Sequence, residues 1–256
     1  MNKNNNNTTV VTSTEWKGYI RHDFIFASRE GLVVFPKKAA KCRPWVWRSE
    51  FFDAFAQADM ALLEQGWAIA YYKLNDMYGC PAAVELMNGF YTYVRSTYEL
   101  AAKAALFGFS RGGLYAFNYA GSYPNHVMLM YLDAPVLDIR SWPGGKGVGN
   151  GAQAEWSQCL SVYGITEEES DKFQDSPLDR IENVLQANIP ILIVAGDADE
   201  VVPFHENAAI LEERYRQRGG AIMMIVKPGI GHHPHSLENP QPILDWMHMY
   251  YELYCR

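Results

Sequence analysis

The amino-acid sequence predicts an α/β fold, with a mostly parallel sheet and helices on both faces. Short apolar runs of strand length alternate with longer amphipathic stretches, and glycine, proline or polar residues bound each run. Strands that alternate with helices in this way form parallel sheets covered on both sides. The chain has 256 residues, 48% of them hydrophobic, which is ample for one domain with a large core.

The individual elements follow from these runs. The predicted strands are 24–26, 31–35, 67–72, 104–107, 127–132, 189–196 and 221–226. Apolar spacing predicts helices over 49–65 and 81–102 and after Gly112, with Ser49 capping the first of them and Gly66 ending it.

Two regions depart from the alternation of strands and helices. Residues 1–15 begin with a run of Asn and Thr and are predicted to be a disordered tail, which leaves 16–256 as a single domain. The segment from about 135 to 180 is predicted to be a small cap inserted after a strand. Its glycine-rich part, 142–151, is not expected to bind nucleotide, because no strand precedes it and no clear helix follows closely.

The pentapeptide Gly108-Phe109-Ser110-Arg111-Gly112 follows an apolar run and opens a helical stretch. In that setting the flanking glycines permit a sharp turn, which exposes the serine oxygen as a nucleophile. The backbone N–H of Arg111 then points to where an oxyanion would form. The alternative is that Ser110 is merely a small residue in a tight turn.

Two later segments supply an acid and a base. Asp199 lies in the polar loop after the strand 189–196, and His232 follows the strand 221–226. The chain order serine, acid, histidine is that of the α/β-hydrolase arrangement. Asp197 and Asp133 are alternative acids, and Asp133 has a second possible role as the salt-bridge partner of Arg111.

The histidines His232, His233 and His235 form a dense cluster. Zinc binding is the alternative here, but Pro234 interrupts helical spacing and no carboxylate motif accompanies the cluster, so we predict no metal. The serine mechanism requires no organic cofactor. His233 is expected to fix the loop.

The segments GFSRGG, GDADEVVP and GIGHHPH are similar to the nucleophile, acid and histidine segments of α/β-hydrolase serine esterases, over about residues 20–255. The resemblance implies the α/β-hydrolase fold, with Ser110, Asp199 and His232 as the catalytic triad. The segment Pro44-Trp45-Val46-Trp47-Arg48 also resembles a bacterial subgroup that often accompanies polysaccharide breakdown. That similarity points to carbohydrate esters.

The sequence gives weaker signals for the second oxyanion donor and for the substrate pocket than for the triad. Many relatives show His-Gly after an early strand, whereas this chain has Phe35-Pro36-Lys37-Lys38. We therefore predict the backbone N–H of Trp45 as the second oxyanion donor, although its indole could equally be part of the core. Tyr78 and Trp142 are predicted to line the substrate pocket.

The predicted function is that of a cofactor-free serine esterase, a hydrolase that cleaves a small carboxylic ester through an acyl-enzyme. A peptidase, a lactonase or a hydroxynitrile-lyase-like enzyme with the same triad is an alternative, as is a non-catalytic binding protein of this fold. A formal charge of −7 disfavours nucleic acid as a partner, and no stretch is apolar enough to cross a membrane. The sequence does not set the oligomeric state.

The four cysteines show no Cys-x-x-Cys pair. They predict reduced thiols in a cytoplasmic protein. A periplasmic or secreted location is expected instead if a signal peptide has been removed.

Overall fold

A nine-stranded mixed sheet forms the centre of residues 10–256, the part of the chain that the computed structural model describes. In chain order the strands are β1 (Thr12–Trp16), β2 (Tyr19–Phe26), β3 (Arg29–Val34), β4 (Trp45–Arg48), β5 (Ala68–Tyr72), β6 (Ala104–Phe109), β7 (Val127–Asp133), β8 (Ile191–Gly196) and β9 (Ile222–Lys227). Their order across the sheet is β1-β2-β3-β5-β4-β6-β7-β8-β9. The first three strands pair antiparallel, and β4 to β9 run parallel. The carboxyl ends of β4 to β9 therefore meet at one edge.

Helices cover both faces of this sheet. They are α1 (Gln57–Glu64), α2 (Pro81–Tyr98), α3 (Gly112–Ser122), α4 (Gln153–Tyr163), α5 (Glu167–Ser170), α6 (Ile181–Gln186), α7 (Ala208–Gln217) and α8 (Gln241–Tyr254). One buried cluster joins the sheet to α2, α3, α6 and α7, and a second joins it to α1 and α8. This layered arrangement confirms the predicted fold class. Within residues 10–256, no helix combines the length and apolar character needed to cross a bilayer.

Strand β4 was not predicted. All four of its residues are buried, and they alternate between the two faces of the sheet. Trp45 and Trp47 contribute to one hydrophobic cluster and Val46 to the other. The indole of Trp45 donates to the carbonyl oxygen of Ala101 at 2.9 Å. A buried strand with apolar residues on both faces shows no alternation of apolar and polar residues, so periodicity does not mark it.

The helix predicted over 49–65 begins only at Gln57. Ser49 does not cap it, because the N-cap position is Ala56 and the buried Ser49 hydroxyl has no hydrogen-bond partner among the described residues. The Ser49 N–H donates to the carbonyl oxygen of Phe107 on β6 at 3.0 Å. The intervening loop turns through residues with φ values of 52° at Phe51, 74° at Asp53 and 50° at Phe55. These left-handed conformations cannot be part of a right-handed helix.

A buried ion pair organises this loop. The guanidinium of Arg48 lies 3.3 Å from the carboxylate of Asp59, and their side chains are 1% and 4% exposed. The same guanidinium donates to the carbonyl oxygens of Phe51 at 2.9 Å and Ala54 at 2.6 Å. It also lies over the ring of Phe109. Arg48 thereby fixes the chain that leaves β4.

The predicted tail is partly structured. Residues 1–9 lie outside the described residues, but 12–15 belong to β1 at the edge of the sheet. Thr14 pairs with Arg21 of β2, and its hydroxyl donates to the Asp23 carboxylate at 2.6 Å. The Thr and Glu side chains of β1 are exposed, so the segment carries little apolar pattern from which a strand could be predicted.

The cysteines also differ from expectation. Cys42 and Cys255 form a disulfide across 213 residues of sequence. Cys80 and Cys159 are free and buried. One partner precedes β4 and the other follows α8, a juxtaposition that spacing in the sequence cannot show.

The Arg48–Asp59 pair generates a prediction for stability. Arg48→Met should lower the free energy of unfolding by about 3–5 kcal/mol, because it leaves the buried Asp59 carboxylate without its counter-charge. The double variant Arg48→Met/Asp59→Leu should recover the part of this loss that is due to the unpaired charge. Chemical denaturation of the wild type and the two variants measures both effects. A double variant no more stable than Arg48→Met would contradict the argument.

Candidate active site

Ser110 occupies a sharp turn between β6 and α3. Its φ of 50° is left-handed, and its N–H donates to the carbonyl oxygen of Asp133 on β7 at 2.9 Å. The turn packs so closely that a Cβ at Gly113 would lie 2.7 Å from the carbonyl oxygen of Val136. Only glycine fits there, and the serine is held in a strained conformation that leaves its side chain partly exposed.

A chain of hydrogen bonds joins Ser110, His232 and Asp199. The Oγ of Ser110 lies 2.9 Å from Nε2 of His232, and Nδ1 of the same imidazole lies 2.7 Å from Oδ2 of Asp199. Oδ1 of Asp199 accepts from the N–H groups of Val201 and Val202, both at 2.9 Å. The acid is thus fixed by its own loop, and it fixes one ring nitrogen while the other faces the serine.

The two alternative acids have different partners. Asp197 Oδ1 accepts from the N–H of Gly229 at 2.6 Å, so it braces the loop that carries His232. Asp133 is fully buried and contacts His235, whose Nδ1 lies 2.7 Å from its Oδ1. Its Oδ2 accepts from the N–H of Ser236 at 2.8 Å and from the hydroxyl of Tyr131 at 2.6 Å.

The Asp133–His235 pair was missed in the sequence analysis, which considered Arg111 as the partner of Asp133. Instead, Arg111 pairs with Glu50 at 3.1 Å. Asp133 and His235 are 102 residues apart, and only the meeting of strand ends at one edge brings them together.

His233 lies on the outer side of this loop. It is exposed, and its ring stacks on that of Phe55 with centroids 5.9 Å apart. Partial burial, followed by the neighbouring imidazoles, lowers the pKa of His233. One nitrogen from each of His232, His233 and His235 lies within 4.8 Å of the others, so within residues 10–256 these three could hold a metal ion.

The structure does not bring Trp45 to this site. Trp45 is the first residue of β4 and is fully buried, while Arg48, three residues later, pairs with Phe107 of β6. At about 3.3 Å per residue, Trp45 lies roughly 10 Å from the carboxyl end of β4, where the strand meets the site. The prediction of Trp45 as an oxyanion donor is therefore wrong, because the segment that contains it is a strand and not a loop.

The residues after β4 lie next to the serine turn instead. The backbone nitrogen of Glu50 is 3.6 Å from where a Cβ on Gly112 would stand. Within residues 10–256, the backbone N–H groups of Glu50 and Arg111 have no hydrogen-bond acceptor. The sequence does not predict that Glu50 lies at the site, because it does not predict β4. Once β4 is known, the position of Glu50 just after the carboxyl end of a strand marks it as a candidate.

The Glu50 side chain is buried beside Arg111. Its Oε2 accepts from Nε of Arg111 at 3.1 Å, and its buried Oε1 has no partner among the described residues. Burial raises the pKa of Glu50 to about 7, with the positive charge of Arg111 acting in the opposite direction.

Tyr78 and Trp142 lie beside each other, with ring centroids 6.3 Å apart. Tyr78 is buried, and its hydroxyl donates to Oε1 of Gln158 on α4 at 2.9 Å. Burial raises the pKa of Tyr78 to about 12, against the opposing charge of Arg111. These contacts connect the segment after β5 to the segment between β7 and β8, and the pocket role of the two aromatics stays a prediction.

Comparisons with known proteins agree with this fold. Residues 71–255 match the prolyl oligopeptidase family. The acylamino-acid-releasing enzyme of Rattus norvegicus is 28% identical over 140 residues, which is 52% of this chain and 18% of the rat enzyme.

Solved structures resemble the chain over most of its length. A puromycin hydrolase superposes with a TM-score of 0.65 at 18% identity, covering 88% of this chain and 36% of that one. Dipeptidyl peptidase 4 of Porphyromonas gingivalis gives a TM-score of 0.63 at 14% identity, over 96% and 35% of the two chains.

At these identities the superpositions show the α/β-hydrolase fold alone. The chain spans little more than a third of the length of these two solved structures and less than a fifth of the rat enzyme. The family match itself covers more than half of the chain and includes Ser110, Asp199 and His232. The chain therefore belongs to the prolyl oligopeptidase family.

Proposed function

We propose that this protein is a serine peptidase that hydrolyses amide bonds of short peptides or acylated amino acids. The observation that carries the proposal is the hydrogen-bonded sequence Ser110–His232–Asp199. The relatives support an amide substrate, since their names are those of an acylamino-acid-releasing enzyme, a puromycin hydrolase and a dipeptidyl peptidase. None of these names supports the carbohydrate ester predicted from the sequence.

The first step is attack on the acyl carbonyl. A serine hydroxyl is protonated at neutral pH and is a weak nucleophile, so it needs a base within hydrogen-bond reach. Nε2 of His232 takes the proton as Ser110 Oγ forms the tetrahedral intermediate. Asp199 holds Nδ1–H and stabilises the resulting imidazolium.

The oxyanion of that intermediate needs two donors. We assign them to the free backbone N–H groups of Arg111 and Glu50, which lie on the two segments that meet at the serine turn. The Glu50–Arg111 ion pair joins these segments through their side chains. It therefore acts as a positioning pair for both donors.

The second half of the reaction uses the same groups. The imidazolium of His232 gives its proton to the leaving amine, and the C–N bond breaks to leave an acyl-enzyme on Ser110. Water, deprotonated by His232, then releases the acid and restores the serine. An ester would follow the same path, because the alcohol takes the place of the amine.

The disulfide is relevant to the cellular compartment in which the protein acts. Disulfides persist in oxidising compartments and are rare in the cytoplasm of most organisms. The Cys42–Cys255 bond therefore supports a periplasmic or extracellular location over the cytoplasmic one.

The proposal is tested first at the nucleophile. Ser110→Ala should lower kcat/KM for an aminoacyl p-nitroanilide by roughly 10⁶-fold, because the members of a triad act as a unit. It should also abolish labelling by a fluorophosphonate probe. Ser122→Ala, at the exposed end of α3, is the matched control. Retention of a tenth of the activity by Ser110→Ala would exclude the serine mechanism, and absence of labelling in the wild type would favour a binding protein.

The two buried aspartates should separate by their effects. Asp199→Asn should lower kcat on the order of 10⁴-fold with little change in stability, since the amide favours the wrong imidazole tautomer. Asp133→Asn should lower the melting temperature and reduce kcat much less, since its carboxylate holds His235 and Ser236 and does not contact His232. Kinetics and thermal unfolding of both variants decide the matter. The reverse pattern would make Asp133 the catalytic acid.

Glu50 gives a pH dependence of stability. Its pKa is raised on folding, so its contribution is complete below the ordinary carboxyl pKa and is lost as pH rises to about 7. Glu50→Gln should therefore gain stability relative to the wild type over that interval, by up to about 3 kcal/mol. Glu30→Gln, on an exposed carboxylate, should show no such gain. A stability difference that does not change with pH would refute the buried, titrating state of Glu50.

A further inference from the structure

We propose that His232, His233 and His235 form an inhibitory site for a zinc ion, which would block the proposed serine mechanism by binding its base. This proposal rests on the proposed function only for its effect on turnover. The site itself is defined by three imidazoles on one loop.

The three rings have the spacing and the mutual orientation of a three-histidine metal site. Their centroids are 5.0 Å apart for His232 and His233, and 4.8 Å apart for each ring with His235. Their planes are close to mutually perpendicular, at 71°, 80° and 87°. Rings in this mutual orientation can each direct one nitrogen toward a shared ion.

The ligand atoms are nearly in place. One nitrogen from each ring lies within 4.8 Å of the others. Zn–N bonds of about 2.0–2.1 Å in tetrahedral geometry put ligating nitrogens roughly 3.4 Å apart. Closing the site requires a small movement, and His233 is free to make it because it is exposed and has no hydrogen bond within residues 10–256.

Two of the ligands already have the outer partners that zinc-binding histidines need. Histidines that bind metal through one ring nitrogen usually donate the other N–H to a carboxylate, which sets the tautomer. Nδ1 of His232 bonds to Asp199, and Nδ1 of His235 bonds to Asp133, both at 2.7 Å. Both rings therefore present Nε2 as the basic nitrogen, and two negative charges lie behind the cluster.

Zinc in this position would stop catalysis. The lone pair on Nε2 of His232 would bind the metal and could no longer accept the proton of Ser110, whose Oγ lies 2.9 Å away. A tetrahedral ion would keep its fourth position for water or for that oxygen. Removing the metal would restore the free base, so the inhibition is reversible.

His233→Ala is the decisive variant, because His233 contacts neither Ser110 nor Asp199 in the hydrogen-bond network of the site. We expect Zn²⁺ to inhibit the wild type and EDTA to reverse the inhibition. His233→Ala should retain turnover. Its inhibition constant for Zn²⁺ should rise by more than about 10–100-fold, the loss of metal affinity that follows removal of a group hydrogen-bonded to a ligand, because this variant removes a ligand itself. His205→Ala, on an exposed histidine in the short 3₁₀ helix Phe204–Glu206, should behave as the wild type. Equal zinc inhibition of the wild type and His233→Ala would overturn the proposal.

Binding is measured separately from activity, with Co²⁺ as a spectroscopic substitute for zinc. The wild type should show the strong visible absorption of tetrahedral Co²⁺, and His233→Ala should not. If the metal binds in this pattern while no substrate is hydrolysed, the zinc site stands and the proposed function fails. If turnover is normal and neither Co²⁺ nor Zn²⁺ binds, the zinc site alone is refuted.

Discussion

A single buried aspartate, Asp133, holds the two halves of the candidate site at a fixed separation. Its backbone carbonyl accepts the N–H of Ser110, and its carboxylate binds His235 and the N–H of Ser236. The nucleophile turn and the loop that carries His232 are thus both attached to the last residue of β7. The 2.9 Å distance between Ser110 Oγ and His232 Nε2 depends on that double attachment.

Asp199 secures the same loop from the segment that follows the neighbouring strand, β8. Because β7 and β8 are adjacent and parallel, the two aspartates hold the loop at His232 and at His235. Movement of the His232 ring would have to break its hydrogen bond to Asp199, and movement of the whole loop would also break the bonds of His235 and Ser236 to Asp133. Two histidines held in this way also leave the ring between them, His233, as the one with freedom to move.

The sequence locates Ser110, Asp199 and His232, together with the strand that precedes the serine. Each of these three residues follows an apolar run, and the motif around it is local. The segment after β4, which carries the proposed oxyanion donor Glu50, could not be located in this way. Buried Trp45 and Val46 on opposite faces of β4 give no periodic pattern, and Arg48 at its end looks like the start of a polar loop. In the structure that arginine forms a buried ion pair with Asp59, 11 residues later in the chain. The sequence does not show that this carboxylate neutralises the charge of Arg48.

The same limit applies to contacts that join distant segments. The spacing of Asp133 and His235, or of Glu50 and Arg111, carries no signal until the strand order is known. Register decides which strand ends meet at the carboxyl edge. Composition and periodicity establish the strands but not their order.

The disulfide between Cys42 and Cys255 makes most of the chain a covalent ring. It encloses β4 through α8, and therefore every residue assigned to the triad, while β1 to β3 lie outside it. A protease that cuts any surface loop within the ring would produce a nicked molecule whose two pieces stay joined. The strands that precede the ring could be removed by proteolysis without opening it.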